Sequence, residues 1–234
     1  MRAQRGIVVI EHESGCPLDR FADWLDVDAH VIRPYAGDSV PTRVDDGLLV
    51  LGGAMSAYDD VVAPWLPAVR GLLATAVSER VPTLGICLGA QLLAVATGGR
   101  VEVADRRGRE AGIVDVRWRH PATADPLVLE LPEPFAGPSM HADAVVALPD
   151  EAVWLAETAM YPHQAFRIGP AAWGVQFHPE VSLPTYRRWA ERSSDVDTEA
   201  VTDDYRARVD EVAEAGRQLA RRFGAVVTAP SPAT

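Results

Sequence analysis

The sequence predicts an α/β fold with a mostly parallel central sheet covered by helices on both faces. Three observations lead there. Short apolar runs rich in β-branched residues alternate with helix-forming runs, the order expected of parallel strands joined by crossover helices. One such run, residues 81–86, passes directly into Cys87 and then into a helical run. Another, residues 47–51, ends on the pair Gly52-Gly53.

The elements follow in order. Gly6–Ile10 (GIVVI) reads as a buried first strand. Residues 18–25 read as a short helix and 29–32 as a second strand. Residues 47–51 (GLLVL) make a third strand, 63–80 a helix, 81–86 a strand and 88–96 the next helix. Across 100–119 and 144–167 the apolar residues alternate at period two between turn signals, the pattern of β-ribbons. Residues 172–177 form a late buried strand ending at His178. One long helix is expected from about 198 to 223, closed by Gly224. Val201, Tyr205, Val209, Val212, Leu219 and Phe223 recur along it at helical spacing, a stripe for the chain's own sheet or for a partner. Residues 229–234 are Pro/Ser/Thr/Ala-rich and expected to fray. With no internal repeat and no long linker, residues 1–234 read as one domain with a core of about 5–195.

Composition narrows the function. The chain is long enough to bury a sizeable core. Its net charge is −11, and all 22 Lys+Arg residues are arginine, without a basic block. That argues against nucleic acid or an anionic membrane as partner. The two cysteines, Cys16 and Cys87, make no disulfide framework, which suits a reducing compartment. The first apolar run is too short for a signal peptide and no stretch reaches membrane-spanning length, so a cytoplasmic location is expected. No Cys/His cluster has zinc spacing, and no phosphate or dinucleotide glycine motif occurs; no metal and no cofactor are expected.

The chemistry centres on Gly85-Ile86-Cys87-Leu88-Gly89-Ala90-Gln91. A strand, a sharp turn bearing a nucleophile and a helix form a nucleophile elbow. The helix N-terminus favours a thiolate there. Seen alone, Cys87 would be a small buried apolar residue; flanking glycines and the strand-to-helix setting favour the nucleophile. His178 and Glu180 are separated by Pro179, which keeps the preceding residue extended. Residues i and i+2 of an extended chain share a face. The carboxylate can therefore orient the imidazole as a base for Cys87. Acyl transfer also needs donors aimed at an oxyanion; the N–H of Leu88 and one from the Gly52-Gly53 turn are the candidates. Cys16, in a Gly/Pro loop, reads as non-catalytic.

Three segments, residues 51–56 (LGGAMS), 85–91 (GICLGAQ) and 174–180 (GVQFHPE), resemble the class I (triad) glutamine amidotransferase family. The likeness runs from about residue 48 to 181, nearest to the glutaminase part of GMP synthetases and to stand-alone members. Residues 139–143 (SMHAD) are similar to the family's Ser-His-Gly-Asp segment. The resemblance implies a three-layer, flavodoxin-like sandwich with a small antiparallel ribbon. It implies that Cys87 attacks the side-chain amide of glutamine and that His178 protonates the departing ammonia. Water then hydrolyses the γ-glutamyl thioester. Gly53 and Leu88 would hold the oxyanion, and Gly52, Gln91, Met140 and His141 would contact the substrate.

Family members deliver ammonia to a synthetase domain or subunit. No such segment follows residue 181, so a separate synthetase partner is expected, or another γ-glutamyl substrate. Three readings result: a glutamine-hydrolysing ammonia donor, a γ-glutamyl peptidase acting on other amides, and an idle binding protein on the same scaffold.

Overall fold

The computed structural model describes residues 6–229; the expected frayed tail beyond Ala229 lies outside the described residues. Strand β1 (Gly6–Ile10) is followed by a four-residue helix α1 (Phe21–Trp24), then β2 (Asp28–Ile32) and β3 (Gly47–Val50). Helix α2 (Leu66–Ser78), strand β4 (Thr83–Ile86) and helix α3 (Leu88–Ala96) come next. The middle of the chain supplies β5 (Arg100–Glu102), β6 (Glu110–Trp118), β7 (Phe135–His141), β8 (Ala144–Ala147), β9 (Val153–Glu157) and β10 (Ala165–Ile168). Strand β11 (Ala172–Val175) and helices α4 (Leu183–Arg192), α5 (Thr198–Ala207) and α6 (Val209–Thr228) complete it.

The main sheet has the order β2-β1-β3-β4-β11-β10-β9-β6-β7. From β2 to β11 every neighbouring pair is parallel. From β11 to β7 the pairs are antiparallel. β5 and β8 make the separate small ribbon. Strands β3, β4 and β11 are buried along their whole length, as strands covered on both faces must be. Alternate residues of β3 point opposite ways. Leu48 and Val50 pack with α2 and α3, whereas Leu49 packs with Phe21 of α1 and Leu219 and Phe223 of α6. The three-layer α/β expectation holds.

Three local expectations need correction. The single long C-terminal helix is two, broken at Arg208, whose φ of −117° and ψ of 20° leave the helical region. The stripe serves two surfaces: Tyr205 and Val212 pack with Tyr186 of α4, while Leu219 and Phe223 pack beneath the sheet. Arg208 is tied to β6 at the break, through the Ile113 carbonyl and Asp115 at 2.8 Å. Gly224 does not close the helix, which continues to Thr228; a Cβ there would sit 2.2 Å from the Leu25 carbonyl oxygen. Lastly, the stretch left between the two expected ribbons, 100–119 and 144–167, holds a seven-residue strand that ends at His141. Pro138 sits mid-strand, which an edge strand tolerates.

Gly216 of α6 lets the helix press on the segment after β11, because a Cβ there would fall 2.2 Å from the Pro179 carbonyl oxygen. In an exposed helix Gly→Ala gains about 1 kcal/mol. Here the overpacking cost of about 1–3 kcal/mol should win. Gly216→Ala is therefore expected to lower the urea midpoint; a raised midpoint would show that the close approach is not a constraint.

His12, after β1, is fully buried, and its Nδ1 accepts a hydrogen bond from Trp65 Nε1 at 3.0 Å. Burial pushes its pKa down to about 4. Above pH ~6.5 the ring is neutral in both folded and unfolded states. As pH falls from there through about 4, the unfolded chain takes up the proton first, so folding loses up to roughly 3 kcal/mol. The stability of His12→Gln, measured by denaturation at pH 7 and pH 5, should fall less across that interval than that of the parent. Equal losses would refute the assignment.

Candidate active site

Strand β4 runs into Cys87, whose φ of 50° and ψ of −106° lie where non-glycine residues are strained. The turn is tied at both ends. The Cys87 N–H donates to the Val175 carbonyl at 2.8 Å, and the Cys87 carbonyl accepts from Gln91 N–H at 3.0 Å. The flanking glycines are needed for space. A Cβ on Gly85 would lie 2.5 Å from the Gly89 carbonyl oxygen, and one on Gly89 2.0 Å from that of Val50. The sulfur thus stands at the N-terminus of α3, whose first N–H groups have no intrahelical acceptor.

His178 follows β11 and is fixed from several sides. Its backbone N–H donates to the Pro138 carbonyl of β7 at 2.7 Å. Its Nδ1 lies 2.8 Å from Glu180 Oε1, both side chains buried. The Trp189 ring of α4 packs at 4.6 Å between centroids. With Nδ1 taken by the carboxylate, Nε2 is the nitrogen left for Cys87. Burial alone would lower the His178 pKa, but the charge of Glu180, then that of Cys87 and a hydrogen bond with it, outweigh burial and raise it. The positively charged imidazolium is therefore the form of His178 that this arrangement favours.

The other expected residues gather around this pair. A Cβ on Gly52 would sit 2.8 Å from His178 Cε1 and 3.6 Å from Cys87 Cβ. A Cβ on Gly53 would sit 3.0 Å from Leu88 Cδ2, and Gly53 borders the same cavity as Cys87. Gln91 is buried, and its Nε2 donates to the Asp143 carbonyl at 3.0 Å and Gln176 Oε1 at 3.3 Å. It therefore anchors the 139–143 segment as well as lining the cavity. Met140 and His141 line the cavity as well. Its volume is about 290 Å³, and Cys87, Gly53, Gln91 and His178 all border it.

Several contributors carried no sequence signal. Glu110 is buried and accepts from Gln164 Nε2 at 2.6 Å, Thr158 Oγ1 at 2.6 Å and Ser139 Oγ at 3.1 Å. His141 Nε2 lies 3.2 Å from it and His141 Nδ1 2.9 Å from the Asp143 carbonyl. Burial works against the Glu110 charge, yet bonds from His141 and Thr158 pull its pKa down. An acidic residue in an alternating strand ordinarily reads as solvent-facing, which hid it. Trp189 lay in an arginine-rich stretch not read as a helix. Glu13, Cys16, Arg109 and Arg192 reach the cavity from remote segments.

Cys16 borders the same cavity, but burial, then the charges of Glu13, Cys87 and Glu180, push its thiol pKa far up. A glutamine-like chloroketone is expected to alkylate Cys87 and spare Cys16, as read by peptide mass mapping. Labelling of Cys16 in preference to Cys87 would contradict this.

The family model for glutamine amidotransferase class-I matches residues 24–191. The GMP synthase [glutamine-hydrolyzing] of Porphyromonas gingivalis is 37% identical over 137 residues, 58% of this chain and 25% of that relative. The corresponding protein of Thermomicrobium roseum is 36% identical over 160 residues, 66% of this chain and 28% of its own length. The chain thus spans about a quarter of the length of these relatives. The glutamine amidotransferase-like protein YfeJ of Salmonella typhimurium is 29% identical over 182 residues, 74% of this chain and 75% of that one. Among solved structures, a glutamine amido transferase from Methylobacillus flagellatus shares the fold with a TM-score of 0.85 at 24% identity, covering 98% of each chain.

Proposed function

Because the chain belongs to the class I glutamine amidotransferases, we propose that it hydrolyses the side-chain amide of glutamine through a γ-glutamyl thioester on Cys87. The observation that carries this reading is the strained Cys87 turn facing a buried His178 that Glu180 orients at 2.8 Å. The thiolate attacks the γ-carbonyl carbon, and the developing oxyanion falls between the N–H groups of Gly53 and Leu88. As the tetrahedral adduct collapses, the C–N bond breaks and His178 gives its proton to the departing ammonia. His178 then takes a proton from water, which attacks the thioester and releases glutamate. Glu180 holds the ring and stabilises its positive form throughout. Gly52, Gln91, Met140 and His141 bound the space for the glutamyl half.

The receiver of the ammonia is, in this reading, a separate synthetase. The GMP synthases to which the chain is similar are about four times its matched share in length, which supports a division of labour between this unit and another. The apolar stripe of α5 and α6 is not the docking surface, since it packs on the chain's own core. Residues 1–234 act in this account as one unit. Among the described residues no helix is long and apolar enough to cross a membrane.

Purified protein incubated with glutamine should release glutamate and ammonia in equal amounts. Cys87→Ala should abolish this, and His178→Ala should cost about 10³-fold or more in kcat. Glu180→Gln should cost less than His178→Ala, because it preserves shape and removes only charge. A fully active Cys87→Ala protein would sink the reading.

A further inference from the structure

The cavity has two walls of different chemistry. Met140, His141 and Asp143, held by Gln91 and Glu110, form one. The other lies beside the imidazole and is built from Trp189, Arg192 and Gly15. Trp189 packs on His178 at 4.6 Å and donates from Nε1 to the Gly15 carbonyl at 2.7 Å. Arg192 lies one helical turn beyond Trp189 on the same face of α4. Its Nη1 would be 3.1 Å from a Cβ on Gly15, so the guanidinium overlies the glycine, with Glu13 Oε2 3.4 Å from the same point.

The charges around this wall are committed, except one. Arg109 grips both oxygens of Asp195 at 2.9 and 3.1 Å. Glu13 Oε1 accepts from the Ala54 N–H at 2.6 Å and from the Cys16 thiol at 3.6 Å. No carboxylate among the described residues lies within ion-pair distance of Arg192. An unpaired guanidinium bordering a cavity is suited to a carboxylate, which it can bind through two parallel N–H bonds.

Position says which half of a substrate this guanidinium meets. The leaving amine must receive its proton from His178, so it departs on the imidazole's side, along Trp189 toward Gly15 and Arg192. Ammonia needs no wall of this kind. We infer that Trp189, Gly15 and Arg192 form a leaving-group subsite for a carboxylate-bearing amine, so that the chain also cleaves γ-glutamyl amino acids. The inference rests on the thioester chemistry proposed for Cys87. The thiolate attacks the γ-carbonyl, and the C–N bond to the second amino acid breaks. The nitrogen takes the proton of His178, and water then splits the thioester. One γ-glutamyl amino acid and one water give glutamate and a free amino acid.

γ-Glutamylglycine and γ-glutamylethylamide have leaving groups of nearly equal size, and only the first carries a carboxylate. The parent enzyme should favour γ-glutamylglycine by about tenfold or more in kcat/KM, the scale of a charge-assisted hydrogen bond. Arg192→Gln, at an exposed position, should bring that ratio near one, and Arg192→Lys should restore part of it. Absence of the preference in the parent, an unchanged ratio in Arg192→Gln, or equal losses on both substrates would overturn the subsite; equal losses would assign Arg192 to the shared glutamyl half. If glutamine is turned over while the preference is absent, only the subsite fails. If glutamine and both amides all stay intact, the hydrolase reading itself fails.

Discussion

Cys87 is held at a positive φ that costs about 1–3 kcal/mol, and the remainder of the site is arranged around the turn this creates. The strain persists because its neighbours leave no alternative. Strand β4 is hydrogen-bonded on both edges, by β3 and β11, and buried on both faces. The Val175 carbonyl holds the cysteine N–H, and the Gly85–Gly89–Val50 contacts leave no space for side chains. The same pairing places the His178 imidazole. Ile86 and Val175 are register partners, so Cys87 and His178, remote in sequence, leave adjacent strand ends at the carboxyl edge of the sheet. Open α/β sheets generally carry their sites there.

Positioning then spreads outward from the Cys87 turn through the groups packed around it. The Pro138 carbonyl of edge strand β7 holds the His178 N–H, Glu180 holds Nδ1 and Trp189 covers the ring. Helix α6 presses on Pro179 through Gly216, linking the C-terminal helices to the imidazole. Across the cavity, buried Glu110 gathers Ser139, Thr158, Gln164 and His141, fixing the end of β7. Gln164 Oε1 is the one buried side-chain atom of this network without a partner among the described residues; the hydrogen bonds that are made rigidify what they join.

The parallel half of the sheet was legible because its strands are continuous apolar runs and its turns carry glycines at fixed offsets. The Cys87, His178 and Glu180 set was legible for the same reason: a strand, a turn and an X-Pro-X step are local signals. Strand β7 was not, because Gly137 and Pro138 imitate a turn and only the sheet edge makes them acceptable. Helix α4 was hidden by its arginines, and with it Trp189 and Arg192. The break at Arg208 escaped notice because the apolar spacing continues across it; what changes is the surface being packed. Glu110 shows the general obstacle: its role depends on partners drawn from three distant segments.

The central claim is that the amide's acyl half passes through a covalent bond to Cys87. Mixing the protein with glutamine, quenching in acid within the first turnovers and mapping peptides by mass tests it directly. The account predicts a γ-glutamyl adduct on the peptide containing Cys87, absent from Cys87→Ala and discharged to glutamate when the quench is delayed. Steady glutamine hydrolysis with no adduct on that peptide, or with the adduct on Cys16, would contradict it.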